Sequence, residues 1–308
     1  MQAAAVVVTL FSVLFPAKTW FAPDQALSVL VRAPDQQTIV LVLTDFTGKP
    51  IEAVGAAEVT GEQTVELQKI FPSILSPNTY ALWAVPKGKG IEEFVGTPLV
   101  VNVRVDRRRD ALPGAMVLKI EPLCYAQLST GKGEATIAFF YDVAPHTVAN
   151  FISLARGGFY DGLTFHRIVP GFIVQGGDPR GDGTGGPGYS IDAEFSDREL
   201  REGCIAMSRQ VDPLEAQGAM PRYEFANTAG SQFFICLNYE RTKQLDRRYT
   251  NFARVIDGMD KLQSLASVET GEGDRPATTQ PITRITILPV EPGKNPYESV
   301  MNVNRPRR

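Results

Sequence analysis

Histidine, cysteine and tryptophan are scarce in this chain of 308 residues, at two, three and two copies. His146 and His166 stand alone, and Cys124, Cys204 and Cys236 form no C-x-x-C pair. That excludes the His/Cys cage of a structural zinc site. An odd, sparse cysteine set is no disulfide framework either, and burial as small apolar side chains is its expected fate. Excess charge is also missing. Thirty-one Lys+Arg against 34 Asp+Glu leave a net charge of −3, so nothing sequence-wide argues for a nucleic-acid partner. Long apolar runs are absent after the first 15 residues, so no later stretch can span a bilayer. What is present, 44% apolar and 21% charged residues, builds ordinary globular cores, and the length suggests two domains.

Residues Ala3 to Phe15 carry no charge and have the length of a signal-peptide apolar region, although no Lys or Arg precedes them. Residues 1–17 are therefore read as a signal peptide, which implies export to the periplasm, cell envelope or outside. The alternative is a buried strand in a cytoplasmic protein, since Val6-Val7-Val8 and Phe11 favour strands. From 18 to 110 the chain reads as short strands at Ala26–Val31, Thr38–Leu43, Thr64–Leu67, Thr79–Val85 and Leu99–Val105. Turn signals at Ala33-Pro34-Asp35 and Phe46-Thr47-Gly48-Lys49-Pro50 separate them. This pattern predicts a small, Ig-like β-sandwich. It holds no catalytic constellation and is expected to be a spacer or binding module. Arg107-Arg108-Arg109 and Pro113-Gly114 read as a linker.

The second domain, 120–290, begins with a hairpin around Gly131-Lys132-Gly133. A helix is predicted from Pro145, with Val148, Phe151, Ile152 and Ala155 on one face and Gly157 at its end. Strands are predicted at Thr164–Val169, Phe172–Gln175, Gln232–Ile235 and Thr283–Ile287, and a second helix around Met259, Leu262, Leu265 and Ala266. A mainly β fold follows, with a closed barrel plugged by two helices. Residues 291–308, rich in Pro, Asn and Arg, are expected to fray.

Three stretches then stand out: Phe165-His166-Arg167-Ile168-Val169-Pro170-Gly171-Phe172-Ile173-Val174-Gln175-Gly176-Gly177-Asp178, Gly183-Thr184-Gly185-Gly186, and Ala229-Gly230-Ser231-Gln232-Phe233-Phe234-Ile235. Together with Thr147–Phe151 and Phe252–Met259 they resemble, in order, the motifs of cyclophilins, the cyclosporin-binding peptidyl-prolyl cis–trans isomerases. The resemblance spans about residues 125–288 and implies a barrel of eight strands. It implies an enzyme acting on X–Pro bonds of unfolded or flexible polypeptides, assisting folding without a cofactor or metal. It also implies site residues. Arg167, Gln175 and Phe172 are the expected catalytic set. Phe172, Ile173, Phe234 and Leu245 form the proline cup, the backbone near Arg209 pairs with the substrate chain, and Gln232 and Gly183 stand at the rim.

The chemistry fits those residue types. Rotation about X–Pro breaks amide resonance against a barrier of about 18–20 kcal/mol. No covalent bond forms or breaks, so a site needs only to bind proline and favour the twisted amide over the planar one. In the twisted state the prolyl nitrogen regains a lone pair, and a guanidinium aimed at it is a permanent donor. A charge-assisted hydrogen bond contributes about 1.5–3 kcal/mol, on the order of 10- to 100-fold in rate. On adjacent strands, Phe165 with Arg167 and Ile173 with Gln175 each share a face. An Arg and a Gln beside an apolar cup are therefore within the reach of a barrel wall.

This chain departs from the family pattern at four places. Gln244 stands where many members carry Trp, Tyr249 where they carry His, Ile173 for Met, and Ser208-Arg209 for Ala-Asn. Tyr249 still offers an aromatic body with a polar tip for substrate, whereas the missing indole puts tight cyclosporin binding in doubt. An insertion from Gln210 to Phe225 borders the expected groove and is a candidate for reshaping specificity. The rival reading is a binding module that grips proline segments on the same scaffold with little or no turnover. Among decoys, Gly181-Asp182-Gly183-Thr184-Gly185-Gly186 fits G-x-G-x-x-G but runs into Pro187-Gly188 where a helix must begin. His166 and Ser231 lack the partners of a hydrolase triad, and Asp178, Asp182 and Glu194 lack a calcium-loop spacing.

Overall fold

The apolar alternation along Thr38–Asp45, buried at every second residue over most of its length, is that of a strand with one face in a core. A computed structural model of the chain describes residues 13–22, 25–34, 37–105 and 116–298. Most of the signal-like run and the arginine-rich linker lie outside the described residues. The chain divides into two compact units, with Leu123 ending the first and Cys124 opening the second; Pro289–Asn295 return to the first.

In the first unit Thr38–Asp45 pairs with Asn78–Pro86, which pairs with Leu99–Val105, which pairs with Met116–Pro122. These belong to a seven-stranded sheet that also holds Trp20–Phe21, Pro50–Ile51 and Glu58–Thr60. The turn after Asp45 is set by its own carboxylate, which accepts from the main-chain N–H of Thr47 and of Lys49 at 2.9 Å each, with Gly48 at φ 84°. A smaller sheet joins Leu14–Pro16, Ser28–Arg32 and Glu62–Glu66. Leu14–Pro16, inside the segment read as a signal peptide, is therefore a strand, paired through Leu14 to Val31. Leu27 and Val31 share one buried cluster with Leu41, Leu82 and Val101.

The second unit is an eight-stranded sheet. Its order is Arg167–Val169, Ile173–Gly176, Phe233–Cys236, Cys204–Met207, Asn251–Asp257, Gly133–Phe139, Cys124–Thr130 and Ile282–Pro289. The strand expected at Thr164–Val169 is shorter, Arg167–Val169, with Thr164 held by single bridges to Asp178 and Pro281. Beside the two end strands, Phe165 N donates to Gln280 O at 2.9 Å and Ile282 N to Leu163 O at 2.7 Å.

The helix runs from Pro145 to Arg156 and buries the predicted face of Val148, Phe151, Ile152 and Ala155. Glu194 supplies its N-terminal acceptor, taking the N–H of His146 at 3.2 Å and of Thr147 at 2.8 Å. That assigns Glu194 a structural task. Phe151 packs edge-on to Phe233 and Phe139, joining helix to sheet. Gly258, at φ 80°, opens the second helix, Met259–Ala266, and a Cβ there would lie 2.2 Å from Glu134 O.

The tail expected to fray from residue 291 is held at Tyr297. Its ring is fully buried, and its hydroxyl donates to Cys124 O at 2.6 Å and accepts from Phe139 N at 3.0 Å. A single aromatic with both polar capacities satisfied outweighs the polar composition around it. Residues 299–308 lie outside the described residues.

Candidate active site

Strand register builds the site. Arg167 lies opposite Gln175, Gln175 opposite Phe234, and Phe234 opposite Ala206, so one row crosses four strands. Directly opposed residues share a face, and this row sets a cation, an amide, an aromatic ring and a small residue side by side. Pro170 and Gly171, the latter at φ 65°, form the tight turn between the first two strands, and Phe172 N donates to Val169 O at 2.9 Å. The turn brings Phe172 over the same face. All ten residues singled out in the sequence line one groove of about 860 Å³.

Its floor is apolar: Ile173 and Phe234 are buried, and Phe172 and Leu245 are half-buried. Tyr249 meets Phe234 edge-to-face at 5.3 Å. The guanidinium of Arg241, which sequence reasoning missed, lies 5.2 Å above the Phe172 ring and donates to Pro170 O at 2.8 Å. No motif marks it, because its partners are 69 and 71 residues away. Gln244 makes its bond to its own helix, Nε2 to Arg241 O at 3.2 Å, and extends no ring over the floor.

The polar side of the groove is a relay of amides. Gln175 Nε2 donates to Ser208 Oγ and to Gln232 Oε1, both at 3.1 Å. Gln232 Nε2 in turn donates to Gly183 O at 3.0 Å and Gly185 O at 2.8 Å. Gln175 thus fixes Ser208 and Gln232. The Gly-rich segment is stapled from below by Asp178, whose carboxylate accepts from the N–H of Arg180, Asp182 and Gly183. Burial pushes the Asp178 carboxyl up, but these main-chain donors outweigh it and hold it below its ordinary value. Asp178 is a loop staple. His166 is buried with neither ring nitrogen bonded among the described residues, and burial lowers its pKa, as fits a neutral core side chain.

Arg167 is half-exposed at the groove wall. Its Nε and Nη2 both donate to Oδ2 of Asp274, at 3.2 and 3.0 Å. Asp274 lies 107 residues away and carries no motif, so sequence reasoning missed it.

The side chain of Arg209 is engaged inside the protein. It is only 2% exposed. It donates to Arg248 O through Nε and Nη2, to Gln210 O through Nη1, and to both oxygens of Glu215 at 2.8 and 2.9 Å. All five donors are used, so the side chain anchors the insertion and has none left for substrate. Its guanidinium also stacks 4.4 Å over Tyr249. The insertion is held a second time by Asp212, which takes the Nε and Nη2 of Arg222 at 2.8 and 3.0 Å and caps the turn Pro213–Gln217.

The family model for cyclophilin type peptidyl-prolyl cis-trans isomerases matches residues 125–287. The chain is 43% identical over 147 residues to a peptidyl-prolyl cis-trans isomerase of Synechococcus elongatus, covering 48% of this chain and 90% of that protein. It is 37% identical over 160 residues to the isomerase CYP18-1 of Arabidopsis thaliana, covering 52% and 93%. A crystal structure of a Cryptosporidium parvum cyclophilin type isomerase, in the presence of the dipeptide ala-pro, is 30% identical over 53% of this chain and 98% of its own, with a TM-score of 0.47.

Proposed function

The chain belongs to the cyclophilin-type peptidyl-prolyl cis–trans isomerases and rotates X–Pro bonds, and from that premise we propose how its groove works. The proline ring of an extended substrate enters the hollow of Phe172, Ile173, Phe234 and Leu245, where apolar burial holds it in both isomers. Tyr249 closes the side of the hollow. As the amide twists, the free edge of the Arg167 guanidinium donates to the prolyl nitrogen. That bond exists only in the twisted state and so lowers the barrier rather than tightening ground-state binding. Gln175 and Gln232 keep the polar rim in place, with Gly183 beside them. The main chain at Arg209 pairs with the substrate backbone: among the described residues its N–H and C=O take no part in the sheet ladders.

One observation carries this reading. A permanent cation and an apolar hollow share one row of strand register. The test follows isomerisation of a short X–Pro peptide with the wild-type chain, Arg167→Ala and Phe234→Ala. Both variants are expected to lose most of the catalysis, and equal rates for all three proteins would contradict the assignment.

Three further proposals accompany it. The eight-stranded sheet closes into a barrel, supported by the main-chain bonds between Leu163–Phe165 and Gln280–Ile282. The two N-terminal sheets form a sandwich over their common buried cluster, serving as a spacer or binding module. The Ig-like strand order expected for this sandwich belongs to the same proposal. Export remains a proposal as well. Cleavage after Ala17 would remove the strand Leu14–Pro16, so mass spectrometry of the mature N-terminus is its direct test.

A further inference from the structure

We propose that Asp274 is the positioning residue of the isomerase, holding the Arg167 guanidinium so that its remaining N–H edge faces the proline hollow; this rests on the reading of Arg167 given above. Asp274 occupies the tip of a small clasp. Thr270 bridges Pro276, Gly271 N donates to Arg275 O at 2.8 Å, and Ala277 N to Glu269 O at 2.8 Å. At the tip Gly273 and Asp274 are both left-handed, with φ 68° and 59°. For a non-glycine residue that conformation is uncommon, and a short polar side chain such as Asp tolerates it best. The clasp thereby presents one carboxylate oxygen to Arg167.

Both bonds from Arg167, from Nε and Nη2, converge on that single oxygen. They occupy one edge of the planar fork. Nη1 donates to no protein acceptor among the described residues, and Arg167 lines the groove. Gln175, opposite Arg167 in the ladder, makes no hydrogen bond to it among the described residues; its Nε2 donates to Ser208 and Gln232. The pair is 39% and 44% exposed, and exposed ion pairs contribute little to folding. Orientation is what it has to offer. An unrestrained arginine samples many rotamers, and a catalytic donor misplaced by about 1 Å loses on the order of 100-fold in rate.

The experiment compares wild type, Asp274→Ala and Asp274→Asn in the full chain, with kcat and KM for an X–Pro peptide and the melting temperature of each. Asp274→Ala is expected to lower kcat about tenfold with KM within about twofold and a slightly lower melting temperature, since alanine tolerates the left-handed tip less well than Asp or Asn. Asp274→Asn, whose amide oxygen accepts the same bonds and which tolerates the same backbone, is expected to recover at least half of the loss. Exchange of the Arg167 Nε–H, followed by NMR, is expected to be slow in wild type and fast in the alanine variant. A kcat for Asp274→Ala within twofold of wild type, or an Asn variant as impaired as Ala, overturns the proposal. An Arg167→Ala variant as active as wild type instead removes the parent reading, and this inference with it.

Discussion

The groove has two walls built by different means. One wall is the run of strands carrying Arg167, Gln175 and Phe234, where ladder hydrogen bonds fix each side chain relative to the next. The other is Ser208 to Tyr249 with the insertion between them, where charged side chains do that work: Arg209 with Glu215, Arg222 with Asp212, and Arg248 on the carbonyls of Gly218 and Ala219. A ladder constrains the backbone whatever the side chains are, so the first wall keeps a readable motif. A network of side chains can be replaced by another of equal reach, so the second wall changes residues while still closing the groove.

The contrast breaks most sharply at Glu215. Glu215→Ala leaves the buried Arg209 guanidinium without its carboxylate, which costs about 3 kcal/mol when a buried pair loses one partner. The expected outcome, read by urea unfolding, is a large loss of stability together with faster proteolysis inside 210–226. Arg167→Ala, on the other wall, should leave the urea midpoint nearly unchanged.

Acid separates the walls next. Glu215 is held below its ordinary value of 4.5, chiefly by its bonds to Arg209. Its stabilisation is present above pH 4.5 and lost as pH falls through the depressed folded value, so the insertion should loosen only below that pH. His166 belongs to the strand wall, and burial holds it below its ordinary 6.5. Protonation then favours the unfolded chain, so its stability share is full above pH 6.5 and declines as pH drops below it. Stability is expected to begin falling near pH 6.5, with proteolysis of the insertion following only below pH 4.5. In His166→Leu the first decline should vanish and the second remain. Both events in one pH window would contradict the separation.

The smallest effect concerns Gln244, whose side chain leaves the hollow without an indole beside it. Gln244→Trp is expected to tighten cyclosporin binding about tenfold by calorimetry, through added aromatic area and an N–H donor, with kcat changed less than twofold. Unchanged affinity would mean that the insertion, rather than this position, limits the ligand.

What the sequence revealed follows the same division. Phe165 to Asp178 and Gly230 to Ile235 could be read directly, because alternation and a Pro-Gly turn write the ladder into neighbouring residues. The strands Cys204–Met207 and Asn251–Asp257 passed unnoticed, since the first is buried on both faces and shows no alternation, and the second is buried at all but three of its seven positions or nearly so. The anchoring task of the Arg209 side chain was hidden, because nothing local shows that Glu215 and the Arg248 carbonyl converge on it. Asp274 and Tyr297 act over 107 and 173 residues of separation, and such pairings exist only once the chain has folded.

The central claim is that Arg167 acts on the twisted amide alone. Its most direct test measures, for one proline peptide, both Kd and the isomerisation rate at saturation with wild type and Arg167→Ala. The account predicts a Kd within about twofold and a saturated rate lower by about 10- to 100-fold, the value of one charge-assisted hydrogen bond. A variant that binds proportionally more weakly yet turns over at the wild-type rate would contradict it.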